Sequence, residues 1–131
     1  MMNSKKIIET NTAPKAIGAY SQAVGFKDLL FTSGQIPLNP NSGKIVSENI
    51  EEQIIQVLDN LENILFSEGL TFKNILKLNV YLIDLNNFNL LNNIFIDRFY
   101  SEFPARSVVQ VSKLPKDSKI EIDAICFRWK K

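Results

Sequence analysis

The sequence predicts a single α+β domain in which two helices pack on one face of a β-sheet. The chain has 131 residues, enough for one hydrophobic core and too few for two. Hydrophobic residues make up 45% and charged residues 22% of the chain, an ordinary globular balance. Apolar residues follow strand spacing near both ends of the chain and helical spacing in two segments between them. Each of these two amphipathic helices must bury its apolar stripe against a sheet or a partner. We therefore assign residues 1–131 to one domain.

The first part of the chain has the pattern of short strands. We predict strands at Lys6–Ile8, Ser21–Phe26 and Leu29–Thr32, with a tight turn at Lys27–Asp28 between the last two. The segment Ser33–Ser47 contains two glycines and two prolines, which predicts a long surface loop.

The clearest predicted element is a helix that begins after Asn49. Asn49 can cap the helix, and Glu52 three residues later completes a capping-box pattern. Gly69 predicts the end of the helix. The apolar stripe recurs at helical spacing at Ile50, Ile54, Val57, Leu61 and Ile64.

A strand, a second helix and two further strands complete the prediction. The second helix spans roughly Phe88–Tyr100, and the final strands are Ser107–Val111 and Lys119–Phe127, separated by a turn at Leu114–Asp117. The strand before the second helix alternates, with one buried face formed by Leu76, Leu78, Val80 and Leu82.

Alternation in the last strand separates two sets of side chains. Ile120, Ile122 and Ala124 share one face, and Glu121, Asp123 and Ile125 share the other. Because the two helices can cover only one face of the sheet, we expect the other face to pack against further copies of the chain.

Two scarcities limit the chemistry that the chain can perform. It has no histidine, which excludes Ser-His-Asp and Cys-His triads and the HExxH zinc site. Its one cysteine, Cys126, lies in an apolar run and is predicted to be a packed core thiol in a reducing compartment. An enzyme with this composition must use arginine, carboxylates, hydroxyls, amides and backbone groups.

The charge balance argues against nucleic acid as a partner. The net charge is +1, whereas sequence-independent binding to nucleic acid needs a dense basic surface. The N-terminal segment lacks the apolar core of a secretory signal, and no stretch approaches the ~18 apolar residues of a membrane span. We therefore expect a cytoplasmic protein that does not enter membranes.

Several residues are candidates for a site: Arg106, Tyr20 and Ser33 stand where loops meet strands, and Glu121 stands in the last strand. Arg106 can bind a carboxylate through two parallel hydrogen bonds, although a surface arginine in a salt bridge is the simpler explanation of the residue alone. Glu121 can activate water, and a solvated strand face is its simpler explanation. Tyr20 can cover a ligand, and Gly34 beside Ser33 lets backbone amides approach one; packing and turn chemistry explain the same residues.

The candidate residues fall in or near four dispersed segments whose order along the chain matches one known pattern. The segments are Ile17-Gly18-Ala19-Tyr20-Ser21-Gln22-Ala23-Val24, Phe31-Thr32-Ser33-Gly34-Gln35-Ile36-Pro37, Phe103-Pro104-Ala105-Arg106-Ser107, and Leu114-Pro115-Lys116-Asp117 leading into Ile120-Glu121-Ile122-Asp123-Ala124-Ile125. Together they resemble the RidA family of reactive-intermediate deaminases, also called the YjgF family. The resemblance runs from about Lys6 to Phe127.

The resemblance implies a chorismate-mutase-like α+β fold that forms a homotrimer with a cleft at each subunit interface. It implies hydrolysis of 2-iminopropanoate and 2-iminobutanoate to 2-keto acids and ammonia, with neither cofactor nor metal. Arg106 would hold the substrate carboxylate and Glu121 would position the attacking water. The implied lining of the substrate pocket is Tyr20, Ser33, Gly34 and Asn92.

The sequence departs from the family pattern at two positions and leaves two other functions open. Ala19 stands where the family usually has proline, and Val108 stands where many members carry cysteine. The alternatives are a binding or chaperone-like trimer without turnover, and an endoribonuclease or translation inhibitor. The pairing of Arg106 with Glu121 argues against the first, and the missing histidine argues against the second.

Overall fold

The computed structural model describes residues 4–128, which form one mixed β-sheet and two α-helices. Within this range the sheet has the strand order β1-β2-β3-β6-β4-β5, in which β4 and β5 are parallel and all other neighbours are antiparallel. The strands are β1 (Lys6–Ile8), β2 (Ala23–Phe26), β3 (Leu29–Thr32), β4 (Ile75–Leu82), β5 (Ala105–Gln110) and β6 (Ile120–Phe127). The helices are α1 (Ile50–Phe66) and α2 (Phe88–Phe99), and short 3₁₀ turns lie at Phe72–Asn74, Leu85–Asn87 and Pro115–Asp117.

The predicted α+β class and the order of the elements are confirmed. The strands β1 and β3 have the predicted bounds, whereas β2 begins two residues later than expected, at Ala23. The strand predicted at Ser107–Val111 begins earlier, at Ala105, because it pairs in parallel with β4 from Lys77 onward. Arg106 therefore lies within a strand and not in the loop before it.

Helix α1 is capped as predicted at both ends except for one contact. The Asn49 side chain accepts a hydrogen bond from the Glu52 amide, and Gly69 adopts a left-handed φ of +73° just beyond the helix. The capping-box prediction was wrong in its second half. The Glu52 carboxylate accepts from the Ser47 hydroxyl, which in turn accepts from the Asn49 amide.

The prediction that Leu76 is buried was also wrong. A β-bulge between Ile75 and Lys77 shifts the register of β4 against β6, so that Ile75 points into the core and Leu76 is exposed. Leu78, Val80 and Leu82 are buried as the alternation predicted.

The predicted surface loop between β3 and α1 is buried in its first half. Ile36 and Leu38 are core residues, and Gln35 pairs with Ile122 of β6 through the backbone. Asn60 of α1, which is fully buried, donates to the carbonyl of Leu38 at 3.0 Å. Sequence patterning missed this burial because glycines and prolines dominate the segment.

The core lies between the sheet and the two helices. Ile120 and Ile122 of β6 are fully buried in it, together with Leu58 and Leu61 of α1 and Leu91 of α2. The apolar stripes of both helices and the predicted face of β6 therefore meet as expected. Cys126 is buried in the same core, and burial raises the pKa of its thiol to about 12, as expected for a packed and unreactive cysteine.

No element of the described chain covers the opposite, open face of the sheet. Its half formed by β1–β3 exposes apolar side chains, including Ile7 and Phe31, which are 54% and 44% exposed. Phe26 and Leu29, a cross-strand pair on the same face, are exposed as well. A contiguous apolar surface of this kind is characteristic of a protein–protein contact. Among residues 4–128, no helix is long and apolar enough to cross a membrane.

Candidate active site

Arg106 lies on the helix-covered side of β5, against α2. Its strand partner Leu78 is buried in the core, and Val108 two residues on packs against that core. The Arg106 guanidinium donates to the side-chain carbonyl of Asn92 and lies 5.1 Å and 5.4 Å from the ring centroids of Phe88 and Phe95. These contacts fix the guanidinium through one hydrogen bond and two aromatic faces.

Arg106 differs from the other two arginines of the chain in having no acidic partner among the described residues. Arg98 lies 3.0 Å from Asp59, and Arg128 lies 3.7 Å from Glu68. Burial lowers the pKa of the Arg106 guanidinium from its ordinary value. An arginine remains charged in spite of such a shift, so the group is a partly buried cation with unused donors. This is the arrangement that an anionic ligand needs.

Glu121 lies on the open side of β6, beside Gly34. Its neighbours Ile120 and Ile122 point into the core, which confirms the predicted alternation. The carboxylate packs so closely on Gly34 that a Cβ built there would stand 2.8 Å from Glu121 Cδ. Within residues 4–128, no basic side chain lies within ion-pair distance of Glu121.

The surroundings of Glu121 make its carboxylate a stronger base than that of an exposed glutamate. Burial raises the pKa of the Glu121 carboxyl, and the negative charge of Asp123 on the same strand face raises it further. Asp123 is held by Asn79, whose side-chain amide donates to it at 2.8 Å. Burial, then the charge of Asp123 and a hydrogen bond to it, raise the pKa of Tyr81 in the same cluster.

Tyr20 is positioned by the loop that precedes β2. Its hydroxyl accepts a hydrogen bond from the Ile17 amide at 3.1 Å, and its own amide donates to the Gly18 carbonyl at 2.9 Å. The Tyr20 ring is about half exposed and lines a cavity of about 230 Å³ together with Glu121 and Gly34. The structure therefore places three of the predicted site residues in one cavity.

Ser33 lies beside this cavity and joins two neighbouring segments of the chain. Its hydroxyl donates to the Ser21 carbonyl and its amide to the Gln22 carbonyl, which joins β3 to the segment before β2. Ser33 does not line the cavity, although Gly34 beside it does. A ligand contact by the Ser33 hydroxyl stays a prediction.

Arg106 and Asn92 line a second cavity, of about 260 Å³, whose remaining lining is apolar. The other lining residues are Phe95, Ile96, Phe103 and Pro104. Arg106 and Glu121 project from opposite faces of the sheet, so one chain brings the six predicted residues together as two separate groups. Arg106 and Asn92 form one group, and Tyr20, Gly34 and Glu121 form the other, with Ser33 beside it.

A third cavity, of about 570 Å³, contains none of the predicted residues. It lies where α1 and α2 end, and its arginine, Arg98, is neutralised by Asp59 and Glu62. The charged lining of this cavity also includes Glu62, Lys73 and Glu102, so it combines residues of both signs. Within residues 4–128, no group of three or more acidic or cysteine side chains is placed to bind a metal ion.

Sequence reasoning missed three residues that contact Arg106 or line the Glu121 cavity. The rings of Phe88 and Phe95 lie against the Arg106 guanidinium. Their spacing along α2 predicts only a packed helix face. Lys15 lines the Glu121 cavity, and as a lysine in a loop it has no sequence pattern that marks it.

Gly34→Ala is expected to lower the activity of the site about 10- to 100-fold and leave the fold intact. The resemblance implies a catalytic role for Glu121, and a small displacement of a catalytic group has an effect of this size. The added methyl group displaces the end of a flexible side chain, the Glu121 carboxylate, and not the backbone. Hydrolysis of the 2-imino acids that the resemblance implies measures the first effect, and a thermal melt of the same preparation measures the second. Gly18→Ala is the matched control, since its Cβ meets Tyr20 at an ordinary 3.4 Å. Equal activities of the two variants would contradict the placement of Glu121.

Glu121→Gln is expected to raise the melting temperature at neutral pH. The folded-state pKa of Glu121 is raised, so the protonated carboxyl stabilises the folded protein. This contribution to the free energy of unfolding is fully present below the unfolded-state pKa, about 4.3, and is lost as the pH rises through the folded-state pKa. Glutamine has no charge to bury, so the melting temperature of Glu121→Gln should exceed that of wild type near pH 7. The difference should shrink towards pH 4. Melts of Glu121→Gln and of the exposed Glu9→Gln at both pH values test this, and equal shifts in the two would refute it.

The chain is a small α+β protein whose sheet carries a partly buried, unpaired arginine on one face and a partly buried carboxylate on the other. The chain belongs to the family described as Endoribonuclease L-PSP, whose model matches residues 10–127. The resemblance to the RidA or YjgF family is thereby confirmed.

Relatives and solved structures agree with this assignment. The chain is 44% identical over 124 residues to the human 2-iminobutanoate/2-iminopropanoate deaminase. The matched region covers 95% of this chain and 90% of the human protein. It is similar to YyfA from Yersinia pestis, a conserved Rid-family protein of unknown function, with a TM-score of 0.93 and 44% identity over 95% of this chain and 100% of YyfA. It is also similar to Escherichia coli TdcF solved with bound serine, with a TM-score of 0.86 and 43% identity over 95% and 99% of the two chains.

Proposed function

We propose that the protein hydrolyses reactive 2-imino acids, namely 2-iminopropanoate and 2-iminobutanoate, to 2-keto acids and ammonia. The observation that carries the proposal is the partly buried Arg106 guanidinium without an acidic partner in the described chain. The human relative named as a deaminase of these compounds supports the choice of substrate. The bound serine of the TdcF structure supports a small amino-acid-like ligand.

The proposed chemistry needs little more than orientation. The carbon of an imine is already electrophilic, so holding it beside a positioned water supplies much of the acceleration. Arg106 binds the carboxylate through two parallel hydrogen bonds and takes no proton, since it stays charged. Glu121 accepts a proton from the attacking water as the new C–O bond forms. Glu121 returns this proton to the imine nitrogen to give a carbinolamine. The hydroxyl of the carbinolamine then passes its proton to the same nitrogen as the C–N bond breaks, and the products are the keto acid and ammonia.

The proposed active site is shared between neighbouring copies of the chain in a homotrimer. Arg106 and Glu121 point from opposite faces of one sheet, so a single chain cannot place both on one substrate. The exposed apolar half of the open face supplies a surface for the packing of copies. One copy would contribute Arg106 and Asn92, and the next would contribute Tyr20, Gly34 and Glu121.

We also propose that the protein acts in the cytoplasm and independently of nucleic acid. A buried free thiol suits a reducing compartment, and the net charge of +1 offers little attraction to phosphates. The family description names an endoribonuclease. The chain has no histidine for the acid–base steps of phosphodiester cleavage, which favours imine hydrolysis over that activity.

A coupled assay tests the proposal. A threonine dehydratase generates 2-iminobutanoate in the reaction mixture, and the release of 2-ketobutanoate is followed with and without this protein. We expect the initial rate of keto-acid release to rise in proportion to the added protein. A rate equal to that with the same amount of heat-denatured protein would overturn the proposed function.

A further inference from the structure

Lys15 stands on a loop that is unusually well fixed for an exposed lysine. The two residues before it are held by Gln22, which is only 3% exposed. The side-chain amide of Gln22 donates to the Pro14 carbonyl at 2.7 Å and to the Ala13 carbonyl at 3.3 Å. The side-chain carbonyl oxygen of Gln22 accepts from the Thr10 amide at 2.7 Å.

The residues after Lys15 are held from the other side. The Ile17 amide donates to the Tyr20 hydroxyl at 3.1 Å, so the loop is closed by the tyrosine that it presents. The backbone of Lys15 is therefore fixed at the edge of the cavity that contains Glu121. The lysine side chain has only its own torsions to order when it meets a ligand.

Lys15 is the one basic residue among those that line this cavity. The other charged lining residue is Glu121, and most of the rest are apolar, including Ile17, Ile36 and Leu38. Across residues 4–128, no carboxylate lies within 4.0 Å of the Lys15 ammonium. The cavity thus combines a water-activating carboxylate with an unpaired cation at its edge.

A substrate in the proposed active site has its reacting carbon beside Glu121. Its first carboxylate is bound by Arg106 of the neighbouring copy, so the substituent on the reacting carbon is the part that extends along the cavity wall. A methyl or ethyl substituent makes no use of an ammonium group. A substituent that ends in a carboxylate can form a charge-assisted hydrogen bond with it.

We infer that Lys15 is a specificity-determining residue that binds a second carboxylate, so that the site also accepts 2-imino dicarboxylic acids such as 2-iminosuccinate. This inference rests on the proposed function of the same site. Arg106 selects the carboxylate that every 2-imino acid carries, and Lys15 selects among substituents. Lysine suits the second task because its flexible stem lets a single ammonium follow a carboxylate one or two methylenes away from the reacting carbon.

The test compares two substrates with wild-type protein and Lys15→Met. 2-Iminobutanoate is generated from threonine by a dehydratase, and 2-iminosuccinate from aspartate by an aspartate oxidase, with uncatalysed hydrolysis subtracted from each. The measured quantity is the ratio of kcat/KM for iminosuccinate to kcat/KM for iminobutanoate. We expect this ratio to fall about tenfold in Lys15→Met, mainly through KM, as for the loss of a hydrogen bond to a charged group.

Two further variants separate a specific contact from a general change in charge. Lys15→Arg keeps the positive charge and is expected to recover most of the ratio. Lys44→Met removes an exposed lysine from a different loop and is expected to leave the ratio as in wild type. Added salt should reduce the wild-type preference, since an exposed ion pair is screened.

The outcomes distinguish this inference from the proposed function. If wild-type protein accelerates iminobutanoate hydrolysis but not iminosuccinate hydrolysis, or if Lys15→Met and Lys44→Met give the same ratio, the role of Lys15 is overturned and the deaminase function stands. If wild-type protein accelerates neither reaction, both proposals fall.

Discussion

Arg106→Ala is expected to lower kcat/KM for 2-iminobutanoate by about 100- to 1,000-fold. Removing one partner of a hydrogen-bonded charge pair costs about 3–4 kcal/mol, and tenfold in rate corresponds to about 1.4 kcal/mol. The loss should appear in KM as well as kcat, because the proposed contact between Arg106 and the carboxylate is present in the ground state and in the transition state. The coupled dehydratase assay provides the rates, and a thermal melt establishes that the variant is folded.

Arg106→Lys shows whether the planar shape of the guanidinium matters beyond its charge. Lysine keeps the positive charge but lacks the fork that bonds both carboxylate oxygens and lies against Phe88 and Phe95. We expect its activity to lie between those of wild type and Arg106→Ala.

Arg98→Ala is the matched control for the loss of an arginine from the same region. Arg98 lies on α2, as do Phe88 and Phe95, but Asp59 and Glu62 neutralise it and it lines a different cavity. Its removal should leave turnover within about twofold of wild type, the small effect expected away from the reacting groups. Arg106→Ala with the activity of Arg98→Ala would show that the carboxylate is bound elsewhere.

Two properties of the site reduce the stability of an isolated chain. Arg106 is a partly buried cation without an acidic partner in the described chain, and Glu121 is a partly buried carboxylate beside another one, Asp123. Unpaired charges of this kind oppose folding. A substrate carboxylate would compensate Arg106, so ligands are expected to stabilise the protein through the same group that binds them.

The sequence predicts the elements of the fold because their signals are local. Asn49 and Gly69 bracket α1 as capping chemistry requires, and the alternation from Ile120 to Ala124 assigns the two faces of β6 correctly. Alternation predicted wrongly that Leu76 is buried. The bulge between Ile75 and Lys77 depends on how β4 pairs with β6 and not on the sequence of β4 alone.

The composition of the site is less visible in the sequence than the elements that carry it. Alternation puts Glu121 on the face opposite the core, but the face of Arg106 depends on the parallel register that pairs it with Leu78. This register joins residues that are far apart in the sequence, and α2 must fold between the two strands to produce it. Only with the register known does it become clear that Arg106 and Glu121 point away from each other.

Mixing two inactive variants is expected to restore activity, because the proposed site draws Arg106 from one chain and Glu121 from another. Arg106→Ala supplies intact Glu121, and Glu121→Gln supplies intact Arg106. When the two are unfolded together in equal amounts and refolded, about one interface in four combines an intact Arg106 with an intact Glu121 under random assortment in a cyclic assembly. Turnover should therefore return to about a quarter of the wild-type value per chain.

Each variant refolded alone is the control for this experiment, and each should remain inactive. A site formed within one chain predicts no recovery in the mixture, since every chain then lacks one of the two groups. Gel filtration of the same samples establishes whether the chains have assembled, so an absence of activity in assembled mixtures counts against the shared site. If the mixture is active and neither variant alone is, Arg106 and Glu121 act together across the contact between copies. Their positions on opposite faces of one sheet explain why they cannot do so within one chain.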